Sequence, residues 1–303
     1  SYPQGESWHY AEILPNGHLG AIVKETEGHS PGMLIELDWE SNLVRRFDVA
    51  AHHDFEWLKN GNVIVLCREY VANPAIYLPS EADPAPNTKS DVYLEIAPDD
   101  EVVWEWHADE HALSLLDFVP VDYPRTQRDW AHTNTIEVLP DNPAGQVDPR
   151  FAKGNVVFSM RHVDTIGVID KATRKVIWAW GPGVIEKQHM PTMLDNGHFL
   201  VYDNGCETGR TRVIEMDPLS GEIVWQYAAD PPQSFFSFAR GSNQRLSNGN
   251  THIADSDNGR LLEVTPRGEI VWEFMNPDLT PRGRPQPLYR SMRYSHEFVA
   301  RFL

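Results

Sequence analysis

The chain has 303 residues, 41% hydrophobic and 11% aromatic, with 44 acidic against 26 basic side chains and a net charge of −18. The apolar content suffices for a large core, and the acidity argues against nucleic acid and anionic membranes, which are bound through clustered Lys and Arg. No apolar run approaches the roughly 18–20 residues that cross a bilayer, and two cysteines, Cys67 and Cys206, form no disulfide framework.

The first predicted element is a hairpin from His9 to Lys24 around Asn16-Gly17, followed by alternating strands at Met33–Leu37 and Leu43–Phe47. A second hairpin runs from His53 to Arg68 around Asn60-Gly61. A Pro-rich excursion over 73–87 follows, then strands Val92–Ile96 and Val103–Trp106, a short helix within Asp109–Phe118 and a second excursion over 119–128. The third hairpin is interrupted: strand His132–Leu139 meets an insertion from Pro140 to Gly154 and resumes as Asn155–Arg161. Strands Ile166–Ile169 and Ile177–Trp180 complete that unit. The fourth unit comprises the hairpin His189 to Asn204 around Asn196-Gly197 with strands Arg212–Met216 and Val224–Tyr227. The fifth comprises Gly241 to Ser256 around Asn248-Gly249 with strands Leu261–Val264 and Val271–Phe274. The tail Leu288–His296 offers one more inner strand.

Four antiparallel strands repeating every forty to fifty residues are the pattern of β-propeller blades, which bury both faces by stacking around an axis. The expectation is a single all-β domain over residues 1–303, a propeller of six four-stranded blades with the sixth incomplete in this chain. Five blades is the alternative.

Asn-Gly between apolar runs favours a two-residue type I′ turn. With that turn the index sum of cross-strand partners is constant, setting His9 opposite Lys24, His53 opposite Arg68 and His189 opposite Asn204. Aligning the repeats on the leucine before each turn gives one column of His9, His53, Asn134, His189 and Gly241, and a second of Lys24, Arg68, Arg161, Asn204 and Ser256. His132 shares a strand face with Asn134. Because the first strand of a blade lines the central channel, both columns are expected at one mouth of it, with His296 as a further candidate. Cations there, in an acidic chain, imply an anionic ligand; the alternative is that Arg68 and Arg161 pair with Glu69 and Asp164.

Two chemistries suit these groups. An imidazole among guanidiniums is a nucleophile or general base facing an oxyanion. Three converging imidazoles can also hold a metal open to substrate. Each histidine comes from a separate repeat, so spacing leaves the choice open, although the cations favour anion chemistry.

The runs His52-His53-Asp54, Asp129-Trp130-Ala131-His132-Thr133-Asn134-Thr135, Ser159-Met160-Arg161, Gln188-His189 and Tyr289-Arg290-Ser291-Met292-Arg293-Tyr294 resemble the bacterial arylsulfotransferases of the histidine-dependent, nucleotide-independent type. The resemblance implies a propeller enzyme, periplasmic or secreted and needing no cofactor, that moves a sulfuryl group from a phenolic sulfate ester to a phenol. It implies His189 as a nucleophile forming sulfohistidine, with His53, His132, Asn134 and Arg161 stabilising the sulfuryl charge. Lys24, Arg68, Asn204, His9 and Arg293 are expected to contact a small anionic or aromatic substrate. A metal-dependent lyase or hydrolase acting on an anionic sugar, and a non-catalytic binding propeller, are the competing expectations.

Overall fold

The computed structural model describes residues 6–25, 32–71, 88–120 and 129–302; the excursion over 73–87 and most of the one over 119–128 lie outside them. The chain divides into two compact units. One holds Ser1–Leu113, Tyr123–Ile136 and Tyr294–Leu303, the other Ser114–Asp122 and Glu137–Arg293.

In the first unit, β1 (Glu6–Ile13), β2 (Leu19–Glu25), β3 (Gly32–Leu37), β4 (Leu43–Trp57), β5 (Val63–Val71), β6 (Thr88–Ile96) and β7 (Val102–His107) form one seven-stranded antiparallel sheet in chain order. Two repeats share β4: its start pairs with β3 (Leu34↔Phe47) and its end with β5 (Phe55↔Val65). The short helix expected after β7 is α1 (Ala108–His111), continued by a 3₁₀ turn over Ala112–Asp117.

The third repeat is β8 (Thr133–Val138), β9 (Val156–Met160), β10 (Thr165–Asp170) and β11 (Lys175–Trp180), and the boundary between the units falls within β8. Its insertion carries α2 (Pro143–Val147), capped by the Asn142 side chain accepting from the Gly145 amide. The fourth repeat is β12 (His189–Met193), β13 (Phe199–Asp203), β14 (Arg212–Met216) and β15 (Ile223–Tyr227). The fifth is β16 (Ser242–Arg245), β17 (Thr251–Asp255), β18 (Arg260–Val264) and β19 (Ile270–Met275). Side chains alternating inward from successive sheets fill the space between them. Val157, Val168 and Trp178 pack on Phe199, Val201 and Ile214, and Tyr202, Val213 and Tyr227 pack on Phe235, Ile253 and Leu262. Each such burial stabilises by about 1.5–3 kcal/mol.

The turns differ from the two-residue expectation. Leu58 N donates to Asn62 O (2.8 Å) and Gly61 N to Leu58 O (3.0 Å), closing a three-residue loop in which Gly61 takes φ +86°. That is a type I turn followed by a left-handed glycine. The same two bonds recur at Leu14/His18, Leu194/His198 and Leu246/Asn250. Even the interrupted hairpin closes so, through Leu139 N to Asn155 O and Gly154 N to Leu139 O. The extra turn residue shifts the register by one, so Ile13 faces Leu19 and Trp57 faces Val63. A glutamate of the third strand then holds the turn from below: Glu36 accepts from Asn16, Glu95 from Asn62, Glu215 from Asn196 and Glu263 from Asn248.

The tail does not form the expected sixth inner strand. Residues 276–295 contain no strand, and the hydrogen bonds of Ser291 and Arg293 go to the Ser242 and Gln244 side chains instead of a backbone ladder. Five four-stranded repeats are present among the described residues. The tail ends in α3 (His296–Val299), within the first unit. There the Tyr294 hydroxyl accepts from Ile13 N at 2.8 Å, and the Phe302 ring occupies the space a Cβ on Gly17 would need.

Candidate active site

Bulges, which the sequence does not announce, re-aim the histidines. The ladder slips between Trp8 and Tyr10 around His9, between Ala51 and Phe55 around His53, and between His189 and Thr192. His53 (φ +59°), His132 (φ +49°) and Met190 (φ +47°) are left-handed, a conformation that costs a non-glycine residue about 1–2 kcal/mol and collects at functional sites. The expected cross-strand pairs are corrected accordingly. Lys24 lies opposite Ser7 in place of His9, Arg68 opposite Asp91 on β6, and His189 opposite Tyr202.

In the first unit three imidazoles stand in a row: His9 and His53 have ring centroids 4.8 Å apart, and His53 and His132 are 4.7 Å apart. Behind them lies a buried relay. His52 Nε2 faces Asp91 Oδ1 (3.2 Å) and the Cys67 carbonyl (3.1 Å), both acceptors, so it carries the proton. His52 Nδ1 lies 2.7 Å from His53 Nδ1, so the two rings share one hydrogen bond. Burial would raise Asp91, but the His52 contact outweighs it and holds the carboxyl below its ordinary range. Burial, then the charges of His132, His52, His9 and Lys24, drives His53 well below 6.5, so it works as a neutral ring. His132 Nδ1 donates to Asp129 Oδ2 at 2.8 Å. Its strand is fixed by Thr133 N donating to Asp91 Oδ2 and Ile136 N to Asp54 Oδ2. Asn134 beside it is fully buried.

Cations border this row. Burial lowers the Lys24 ammonium, and Arg68 and Lys89 lower it further by repulsion. Among the described residues no carboxylate pairs with any of the three. Glu69, the neighbour that Arg68 was expected to take in the alternative reading, bonds His107 Nδ1 at 2.9 Å. Lys89 escapes sequence reasoning because it sits on a third strand, far from any Asn-Gly turn. Glu69, His107 and Asp109 bring ligand atoms within 4.8 Å of one another and could hold a cation.

In the second unit His189, 2% exposed, has Nδ1 2.7 Å from Asn204 Oδ1. The amide cannot be reversed, because Asn204 Nδ2 donates to Ser237 O (2.7 Å) and Arg240 O (2.9 Å). Nδ1 therefore carries the proton and Nε2 the lone pair. Gln188, fully buried, donates to Ser159 Oγ, Met160 O and Thr165 O, clamping the start of β12 to the third repeat. Arg161 Nη2 donates to Phe238 O (3.1 Å) and its guanidinium lies 5.7 Å from the Phe238 ring centroid. Asp164, its alternative partner, is taken by Lys187 Nζ at 3.0 Å. Arg161 and the Asn204–His189 pair thus meet on neighbouring carbonyls of the 237–240 loop, which carries no motif. Cys206 donates to the same Phe238 carbonyl, its thiol pushed up to about 11 by burial; both cysteines are free. Arg293 is committed to the Glu263 carboxylate and the Trp272 face, Ser256 to the Tyr289 carbonyl, and His296 is exposed on α3.

Four-stranded antiparallel repeats of this kind define a β-propeller protein. The chain belongs to the arylsulfotransferase (ASST) family, whose model matches residues 11–277, which makes it a sulfotransferase-like protein. No curated protein sequence matches it. Among solved structures, a protein of unknown function from Bacteroides caccae is 15% identical, with 90% of this chain and 84% of that one covered and a TM-score of 0.56. Virginiamycin B lyase from Staphylococcus aureus is 12% identical, covering 92% and 72% with a TM-score of 0.52. The Dos1 propeller is 11% identical, covering 92% and 61% with a TM-score of 0.50. At these identities the likeness concerns the fold.

Proposed function

We propose that the chain moves a sulfuryl group from an aryl sulfate to a phenol through a sulfohistidine at His189. The observation that carries this reading is the 2.7 Å contact of His189 Nδ1 with the Asn204 carboxamide oxygen. A neutral amide fixes the tautomer, leaving the lone pair on Nε2, without stabilising a cationic ring as a carboxylate does. Nε2 attacks sulfur, the sulfur–oxygen bond to the aryl group breaks, and the phenolate leaves with the electron pair. The N-sulfo imidazolium, unneutralised by its partner, stays a good donor to the second phenol's oxygen. Arg161, held on the loop that also holds Asn204, supplies a guanidinium for the sulfuryl oxygens. In the first unit, taken by itself, His53 and the Asp129-paired His132, with Asn134, His9, Lys24, Arg68 and Lys89, are read as a cluster suited to an anionic group.

Mixing the protein with 4-nitrophenyl sulfate and no acceptor should release nitrophenol in a burst close to one equivalent. Mass spectrometry should find one added sulfuryl group on the peptide containing His189, and His189→Ala should abolish both. Turnover with no adduct, or an adduct elsewhere, would overturn the assignment.

A further inference from the structure

A second recess lies wholly within the second unit, at the Asn-Gly-turn end of the fourth and fifth repeats. Its volume is about 650 Å³, inside the range of roughly 300–1,000 Å³ that holds a small molecule. Met190, Met193 and Met292 line it together with Leu194 and Leu246. Thioethers on unbranched chains adapt to flat rings and contact their edges favourably.

The charged lining is one-sided. Glu137, Asp195 and Glu215 face a single cation, Arg245, which is paired at Nη2 while its Nε has no hydrogen-bond partner among the described residues. Its Nη2 donates to Glu215 Oε2 at 2.7 Å and its guanidinium lies 4.9 Å from the Trp225 ring centroid. Glu215 is further satisfied by Asn196 and His198. A guest therefore meets the charge of exposed Asp195, while Glu137 accepts from the Met193 amide through one oxygen. Asn243 adds to the same sign: it is 1% exposed, lines the recess, and its Oδ1 has no hydrogen-bond partner among the described residues. An unpaired buried carbonyl oxygen contributes negative potential.

We propose that this recess binds a small arylalkylamine, its ring among the methionines and its ammonium toward Asp195. Anions of the same shape are excluded by charge. The site is separate in chemistry from the oxyanion-seeking groups above and does not depend on sulfuryl transfer. It touches the reactive strand all the same, because Asn243 Nδ2 donates to the Met190 carbonyl at 3.1 Å, one residue beyond His189.

Calorimetric titration of the whole chain with 2-phenylethylamine and with 3-phenylpropionate tests this directly, since no turnover is read. The amine is expected to bind at least tenfold more tightly than the carboxylate. Thr192→Trp, which fills the recess from a half-buried lining position, should weaken the amine tenfold or more with circular dichroism unchanged. Asp195→Lys, at an exposed turn that leaves folding intact, should narrow or reverse the preference, and so carries the test if Thr192→Trp fails to fold. Equal binding of the two probes, binding of neither at millimolar concentration, or a preference untouched by Asp195→Lys would overturn the proposal.

Discussion

At His189 the ring proton is placed by a neutral amide, at His132 by a carboxylate. Asn204→Ala is expected to lower kcat for aryl sulfate about 10–100-fold, the usual loss for such an orienting partner. KM should move far less, which steady-state kinetics with 4-nitrophenyl sulfate would show. These roles were only half legible. The columns named His53 and His189 because repeats align, and His132 as the strand-face neighbour of Asn134, but His52, Asp91 and Asp129 meet His53 and the His132 strand through side-chain bonds that no spacing encodes. A different titration concerns Asp255 at the end of β17, whose carboxyl burial pushes up to about 6 from an ordinary 3.8, against the Asn258 hydrogen bond and Arg260. Here the fold disfavours the charged form. The penalty is absent below pH 3.8, grows up to about 6 and is complete above it. Asp255→Asn should therefore stabilise the protein at pH 7.5 by about 1–3 kcal/mol and change little at pH 3.5, as denaturant melts at the two values would report.

At the scale of elements, the Asn-Gly turns were read correctly in place and wrongly in kind. Nothing in Leu-Lys-Asn-Gly-Asn distinguishes a two-residue loop from a three-residue one. The third-strand glutamate that holds the turn asparagine tips the balance, and its pairing is visible only across the hairpin. The resulting one-residue shift, followed by a bulge, is why the predicted partners of His9, His53 and His189 were displaced. The glycine requirement is graded by surroundings. A Cβ on Gly249 (φ +85°) meets nothing within 4 Å, whereas on Gly197 (φ +86°) it falls 2.8 Å from the Ala144 amide nitrogen of α2. Gly249→Ala should cost about 1–2 kcal/mol for the left-handed backbone alone, and Gly197→Ala distinctly more, measurable as the difference in melting temperature between the two.

For the molecule as a whole, the repeat period disclosed the class of fold, and the short motifs around His53, His132, Arg161 and His189 disclosed the family. The fate of the tail was not disclosed. Leu288–His296 reads as a strand, yet its polar backbone finds side-chain partners on the fifth repeat, and residues 294–302 join the first unit. Ending the chain after Arg293 removes the acceptor of Ile13 N and the half-buried Tyr294, Phe298 and Phe302, which stack on one another and cover Gly17. At about 1.5 kcal/mol or more per buried aromatic and roughly 2–4 °C per kcal/mol for domains of 150–250 residues, the truncated protein should melt at least about 5 °C lower by calorimetry.

That clasp has a consequence for the order of folding. The hydroxyl that receives the Ile13 amide lies 281 residues away along the chain, so the contact that seals the first repeat closes a very long loop, which is entropically costly and slow. Until it forms, the turn at Gly17 lacks the Phe302 ring that covers it.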